Sequence, residues 1–186
     1  MTKPIIRPGQ FHSKAPLANR DSVTLRGPNW NDLDDLIEYI NGLVREGAQI
    51  TKTELVTREA EAEWLGERLS EIENGQVIML VAEVDGKVVS VGEVGLLTGE
   101  RRHTGYLGIG VVKNKRRLGL GKLMMNALLG LARKAGLKIV ILDVYAINAI
   151  AMRLYEEVGF KEAGRIPKGI LRSGHLIDLV RMTTEL

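Results

Sequence analysis

The sequence has no cysteine among its 186 residues, which excludes a disulfide framework, cysteine-based zinc-finger spacing and a thiol nucleophile. Charge of either sign is barely in excess: 26 Lys and Arg against 23 Asp and Glu leave a net charge of +3, too little to demand a nucleic-acid partner but compatible with a bound polyphosphate. No run approaches about 18 consecutive apolar residues, the length a membrane-spanning helix needs. The first residues, MTKPIIRPGQFHSKAPLANR, lack the apolar stretch of a secretion signal, and no internal repeat or low-complexity tract follows. These absences predict a soluble, cytoplasmic protein with no metal, no nucleic-acid partner and no membrane contact.

What is present is a chain that is 45% hydrophobic and 26% charged, as expected of one globular domain with a sizeable core. Residues 1–21 mix Pro4, Pro8, Gly9, Pro16 and Asn19 without periodicity and read as an N-terminal extension or loosely held arm, leaving residues 22–186 as the domain. After a short strand at Ser22–Arg26, the spacing of Leu33, Leu36, Ile37, Ile40 and Val44 predicts an amphipathic helix, capped by Asn29 or Asn31 and ending near Gly47. A second helix opens at Thr57 with early Glu59, Glu61 and Glu63, runs through Trp64, Leu65, Leu69 and Ile72, and stops at Asn74-Gly75.

Two apolar runs, Val77–Val84 and Lys87–Leu97, flank Asp85-Gly86, the two-residue signal of a tight hairpin. His103–Val112 adds a third strand to this antiparallel meander, and its Gly105, Gly108 and Gly110 predict a bulge or a close approach by another backbone or a ligand. A helix then spans Gly119 to Gly136, and the almost continuously apolar Lys138–Tyr145 is a central strand, which implies a strand, helix, strand crossover and a mixed sheet. Ile147, Ile150, Leu154 and Val158 mark a last helix before Gly159, and two strands joined at Ser173-Gly174 close the chain. The fold class is α/β with a mixed sheet of six to seven strands and about four helices.

Between the third strand and its helix lies VVKNKRRLGLGKL, Val111 to Leu123. A strand feeding a glycine-rich turn and a helix N-terminus presents free N–H groups and the positive end of a helix dipole, a site for phosphate oxygens. A P-loop needs Gly at position 116 and Ser or Thr at 123, but Arg116 and Leu123 stand there. A dinucleotide fingerprint starting at Gly119 needs Gly or Ala where Met124 stands, and it follows a meander instead of opening a βαβ unit.

The segment Arg116-Arg117-Leu118-Gly119-Leu120-Gly121 resembles the Gln/Arg-x-x-Gly-x-Gly/Ala motif of the GNAT superfamily of acetyl-CoA-dependent N-acetyltransferases. Asn148, Ala151, Tyr155, Gly159 and Phe160 similarly resemble the family's Asn-x-x-Ala-x-x-x-Tyr-x-x-x-Gly-Phe, and the order of elements matches over residues 22–183. The resemblance implies that Arg116, Arg117, Leu118, Gly119, Leu120, Gly121 and Lys122 hold the pyrophosphate of acetyl-CoA. It implies further that Ile109, Gly110 and Val111, on a bulged strand, supply backbone donors for the thioester oxygen. Asn148 would bind the pantetheine arm, and Tyr155 would protonate the departing thiolate. One departure is Arg117, where many relatives carry Gly.

The implied reaction is direct acetyl transfer to a primary amine in a ternary complex, and an amine with a pKa near about 10 must first lose a proton. Glu93 is the first candidate base, since it alternates with Val89 and Val91 on one strand face; the alternative is an edge carboxylate. Tyr155 is otherwise a packed aromatic with a satisfied hydroxyl. His103 and Glu100 are further candidates for the proton but read rather as loop residues beside Arg101 and Arg102; His175 and Asp178 could touch substrate but read rather as parts of the closing hairpin or of a subunit contact in a homodimer; and Glu156 and Glu157 read as a solvated helix face. The first two helices and the loop Thr98–His103 would form the amine side. Small-molecule and protein amines remain open as substrates, and a catalytically weak acyl-CoA sensor on the same fold is the alternative function.

Overall fold

The computed structural model describes residues 3–186. In chain order the elements are β1 (Phe11–Pro16), β2 (Ser22–Arg26), α1 (Leu33–Arg45), α2 (Arg58–Glu73), β3 (Val77–Val84), β4 (Lys87–Leu96), β5 (Thr104–Val111), α3 (Leu120–Lys134), β6 (Ile139–Tyr145), α4 (Ala149–Glu157), β7 (Lys161–Arg172) and β8 (His175–Glu185). The eight strands form one mixed sheet in the order β1-β2-β3-β4-β5-β6-β8-β7.

The local signals act as expected. Asn29 accepts the N–H of Asn31, and the Asp32 carboxylate accepts the N–H of Asn29, so one short turn leads into α1. Thr57 caps α2 by accepting the N–H of Ala60 at 3.2 Å. Asp85 and Gly86 take φ of 51° and 76°, the left-handed pair that joins β3 tightly to β4.

Alternation along the strands divides the core between two faces. Ile78, Leu80, Leu107, Val140 and Leu142 pack with Met124, Met125 and Leu128 of α3, whereas Val77, Met79 and Val81 pack with Leu36 of α1 and Leu65, Leu69 and Ile72 of α2. Full burial of each such side chain contributes about 1.5–3 kcal/mol.

Three expectations are corrected. Residues 3–21 are no loosely held arm: β1 pairs antiparallel with β2, and Ile6 and Leu17 are buried in the α3-side core. An edge strand draws its pairing from backbone groups and tolerates Pro16, so it need not show apolar alternation. Val89 does not share a face with Glu93, because the β3–β4 register shifts at Ala82/Glu83 and sends Val89 to the α3 side while Val91 packs on the α1–α2 side. The β4–β5 ladder carries no bulge either, running without a shift from Ser90↔Val111 to Leu96↔Gly105.

The glycines of β5 answer to crowding instead. A Cβ on Gly105 would lie 2.5 Å from Val94 Cγ1, and one on Gly110 would collide with the Tyr39 hydroxyl. Gly108 differs, since its nearest neighbour would be Glu93 Cγ at 4.0 Å.

Candidate active site

β6 pairs with β8 along its whole length, Ile139↔Glu185 to Tyr145↔Leu179, but with β5 only through Thr104↔Ile139, Gly105↔Val140 and Tyr106↔Ile141. Beyond that point Leu107–Val111 and Leu142–Tyr145 have parted. The sheet is therefore split, and the backbone edge of β5 at Ile109, Gly110 and Val111 borders the opening. Of this stretch, the Gly110 carbonyl accepts the Ser90 hydroxyl at 2.7 Å and the Val111 carbonyl accepts Arg116 Nε at 2.9 Å.

The glycine-rich turn lies just past the split. Arg117 adopts φ of 60° and Gly119 φ of 85°, so the turn needs a left-handed residue at the position where Gly would sit without strain. The N–H groups of Arg117, Leu118, Gly119, Leu120, Gly121 and Lys122 have no backbone partner among the described residues, as expected of a helix start with no capping side chain. Gly121 has a second constraint, since a Cβ there would lie 2.9 Å from Leu154 Cδ2 of α4.

The turn is braced from the β1–β2 connection. Ala18 N–H donates to the Leu118 carbonyl at 3.1 Å, and Lys115 Nζ reaches Asp21 at 2.5 Å. Arg116 is ion-paired with Glu46 at the end of α1. A cavity of about 520 Å³ lies here, lined by Gly42, Leu43, Glu46, Val112, Lys113 and Asn114. Lys122 is exposed and pairs with Glu157 at 3.1 Å.

Asn148 is not inside the last helix but caps it, accepting the Ala151 N–H at 3.1 Å, so only its side-chain NH₂ remains free to donate. Tyr155 is buried in α4, with its ring tilted against Phe160 at a centroid distance of 6.1 Å. Its hydroxyl has no protein partner among the described residues, and burial pushes its pKa up to about 12.

The opposite face of the sheet is open beside the split. Glu93 lies across β4–β5 from Gly108, whose missing side chain leaves a hollow. Burial pushes the Glu93 pKa above the ordinary carboxylate range; Arg68 of α2, at 3.5 Å, opposes this and Glu71 reinforces it. Across the gap, Asp143 of β6 accepts two hydrogen bonds from Arg181 of β8, at 2.8 and 2.7 Å, which hold its carboxyl below the ordinary range. Tyr106 stands beside that pair, and burial first, then Asp143, lifts its phenol to about 12.

The loop between α1 and α2 roofs this face. Arg172 of β7 donates to the carbonyls of Gly47 and Ala48, Tyr145 donates to the Ile50 carbonyl at 3.1 Å, and Asn41 bonds both the N–H and the carbonyl of Val56.

Sequence reasoning placed Glu93 but missed Arg68, Arg181, Asp143 as a partner of Arg181, and Tyr106. The cross-strand pair Asp143↔Arg181 follows only from the β6–β8 register, which no local pattern states. Glu100 and exposed His103 sit at the paired end of β5, away from the split, so the loop Thr98–His103 does not reach the open face. His175 is at the hairpin tip, and Asp178 accepts the Lys168 N–H within that hairpin at 2.9 Å. Among the described residues no cluster of three or more His, Cys, Asp or Glu could hold a metal ion, and no helix is long and apolar enough to cross a membrane.

The sequence matches the acetyltransferase (GNAT) family over residues 44–160. It is 25% identical over 174 residues to the L-methionine sulfoximine/L-methionine sulfone acetyltransferase of Pseudomonas aeruginosa, covering 89% of this chain and 95% of that protein. Ribosomal-protein-alanine N-acetyltransferase from Brucella melitensis superposes with a TM-score of 0.78 at 29% identity, over 87% of this chain and 99% of that one. The fold is also that of a phosphinothricin acetyltransferase from Sinorhizobium meliloti solved with acetyl-CoA, with a TM-score of 0.78 at 22% identity over 88% of each chain. Because the matched segment begins inside α1 and ends at Phe160, it takes in the meander, the split and both motifs: the chain belongs to the acetyltransferase (GNAT) family, as an N-acetyltransferase that draws on acetyl-CoA.

Proposed function

We propose that this protein acetylates the primary amine of a small amino-acid-like substrate by direct attack within a ternary complex. The observation that carries the proposal is the split between β5 and β6, with the unpartnered Tyr155 hydroxyl on one face and the Glu93 carboxylate on the other. The six free N–H groups at the start of α3 fit the pyrophosphate, and the β5 edge at Ile109–Val111 borders the thioester position.

Acetyl-CoA supplies an activated acyl carbon. Glu93 takes the proton that the ammonium must lose, the freed amine forms the new N–C bond as the C–S bond breaks, and Tyr155 gives its proton to the sulfur; the second proton that the nitrogen sheds in becoming the amide restores the Tyr155 phenol through solvent, and Glu93 releases its own proton to solvent. The raised pKa of Glu93 makes it a stronger base, and that of Tyr155 keeps it protonated through the neutral range. Asn148 holds the pantetheine arm through its free NH₂, with Arg116, Arg117 and Lys122 available to the phosphates. Arg181 borders the open face with nearly half of its side chain exposed and suits a carboxylate on the substrate, in line with the amino-acid derivatives named for the Pseudomonas relative.

Titration calorimetry with acetyl-CoA and a thiol-release screen of amines test the proposal together. Binding at micromolar to millimolar donor and turnover of free amino acids are expected. Absence of binding at millimolar donor overturns the whole scheme, while turnover confined to polyamines or peptide amines overturns only the substrate class. Glu93→Gln is expected to lower kcat by about 10²–10⁴-fold.

A further inference from the structure

We infer that Arg68 is a positioning residue for Glu93, turning its carboxylate toward the hollow at Gly108 and setting the pH range over which it accepts a proton. The inference rests on the assignment of Glu93 as the base.

Arg68 Nε lies 3.5 Å from Glu93 Oε2, too long for a good hydrogen bond but well within ion-pair range. These two atoms are buried without a hydrogen-bond partner among the described residues, although the side chains as wholes keep 28% and 31% of their surface exposed. One oxygen of Glu93 is therefore turned inward against the guanidinium, while part of the side chain stays exposed and its Cγ borders the hollow at Gly108. The other end of Arg68 is fixed: Nη1 donates to Glu71 at 2.5 Å, and the guanidinium carbon lies 5.9 Å from the centroid of the Trp64 ring. Trp64, Arg68 and Glu71 follow the four-and-three spacing of one helix face, so α2 itself aims the Nε edge at β4.

The charged groups facing Glu93 come from α2, namely Arg68 and Glu71. From α1 comes the buried phenol of Tyr39, whose hydroxyl feels the negative charges of both Glu93 and Glu61. The cross-strand neighbours, Met79 of β3 and Gly108 of β5, bring no charge. Arg68 favours the ionised carboxylate and Glu71 disfavours it, so the two substitutions act in opposite directions. Without the Arg68 charge Glu93 ionises at higher pH; without the Glu71 charge it ionises at lower pH.

The test is the pH profile of kcat/KM for the best amine, measured on the full chain for Arg68→Gln, Arg68→Lys, Glu71→Gln and Glu93→Gln, with acetyl-CoA affinity determined for each. The acidic limb is expected to move up by about one pH unit in Arg68→Gln and down in Glu71→Gln, with cofactor affinity unchanged. Arg68→Lys should lie nearer the parent enzyme than Arg68→Gln. A purely structural role would lower activity by one factor at every pH and leave the limb in place, which overturns the inference. Should Arg68→Gln fail to fold, Glu71→Gln decides alone, since an unmoved or raised limb there also overturns it. Persistence of the limb in Glu93→Gln overturns the base assignment itself, a result distinct from either.

Discussion

Arg116 is ion-paired with Glu46 at the end of α1, and it also donates to the Val111 carbonyl at 2.9 Å. The cation that opens the glycine-rich turn is thus shared with the first residue of the loop that roofs the open face. A phosphate must compete with Glu46 for it. Glu46→Gln is expected to tighten acetyl-CoA binding by about two- to fivefold at low salt, the range of a partly exposed pair, and by less at high salt. Arg116→Gln should weaken binding, and calorimetry at two ionic strengths measures both.

Tyr155 has a pKa of about 12 because burial disfavours its phenolate, so it remains a proton donor across the working range. Its deprotonation should therefore produce no alkaline limb below about pH 10. Tyr155→Phe is expected to lower kcat by about 10²–10⁴-fold while leaving acetyl-CoA affinity intact. Equal turnover in the variant on every accepted amine would remove Tyr155 as the acid.

Arg172 and Tyr145 hold the roofing loop through the carbonyls of Gly47, Ala48 and Ile50, none of which belongs to the glycine-rich turn. Arg172→Ala should raise KM for the amine roughly tenfold, the scale of one hydrogen bond to a charged donor, with little change in acetyl-CoA affinity. Steady-state kinetics with each substrate varied in turn separates the two effects.

Asp32 has a side chain only 5% exposed, accepts two hydrogen bonds from Arg26 at 2.7 and 2.6 Å, and caps the turn before α1. Arg26 also reaches Glu83 on β3. Asp32→Ala leaves that guanidinium with one partner fewer and should destabilise the fold by about 3 kcal/mol, read as a lower urea midpoint with unchanged slope.

Much of the fold was legible because its signals are local. Asn29, Thr57, Asp85-Gly86 and Gly136 each mark an element boundary by their own backbone or capping chemistry, and each does so here. The turn at Arg116–Gly121 was legible for the same reason, but the left-handed conformation of Arg117 was not, since nothing local marks an Arg for that backbone. What sequence could not state is pairing. The edge strand β1 has no apolar pattern because its stabilisation comes from the β2 backbone, and the Val89 reversal depends on a register shift between two strands. The polar groups of the open face, Arg68 with Glu93 and Asp143 with Arg181, come from elements far apart in the chain. Arg68 and Arg181 each look like an ordinary surface charge until the sheet brings them to the split.

The contacts from Ala18 to Leu118 and from Asp21 to Lys115 make the start of the chain a splint for the glycine-rich turn. Asp21→Asn, which loosens the splint without touching the β1 pairing or the core, should then be felt as weaker acetyl-CoA binding and slower saturation while the folded state persists. An enzyme with that splint loosened could keep its fold and still be starved of acetyl groups.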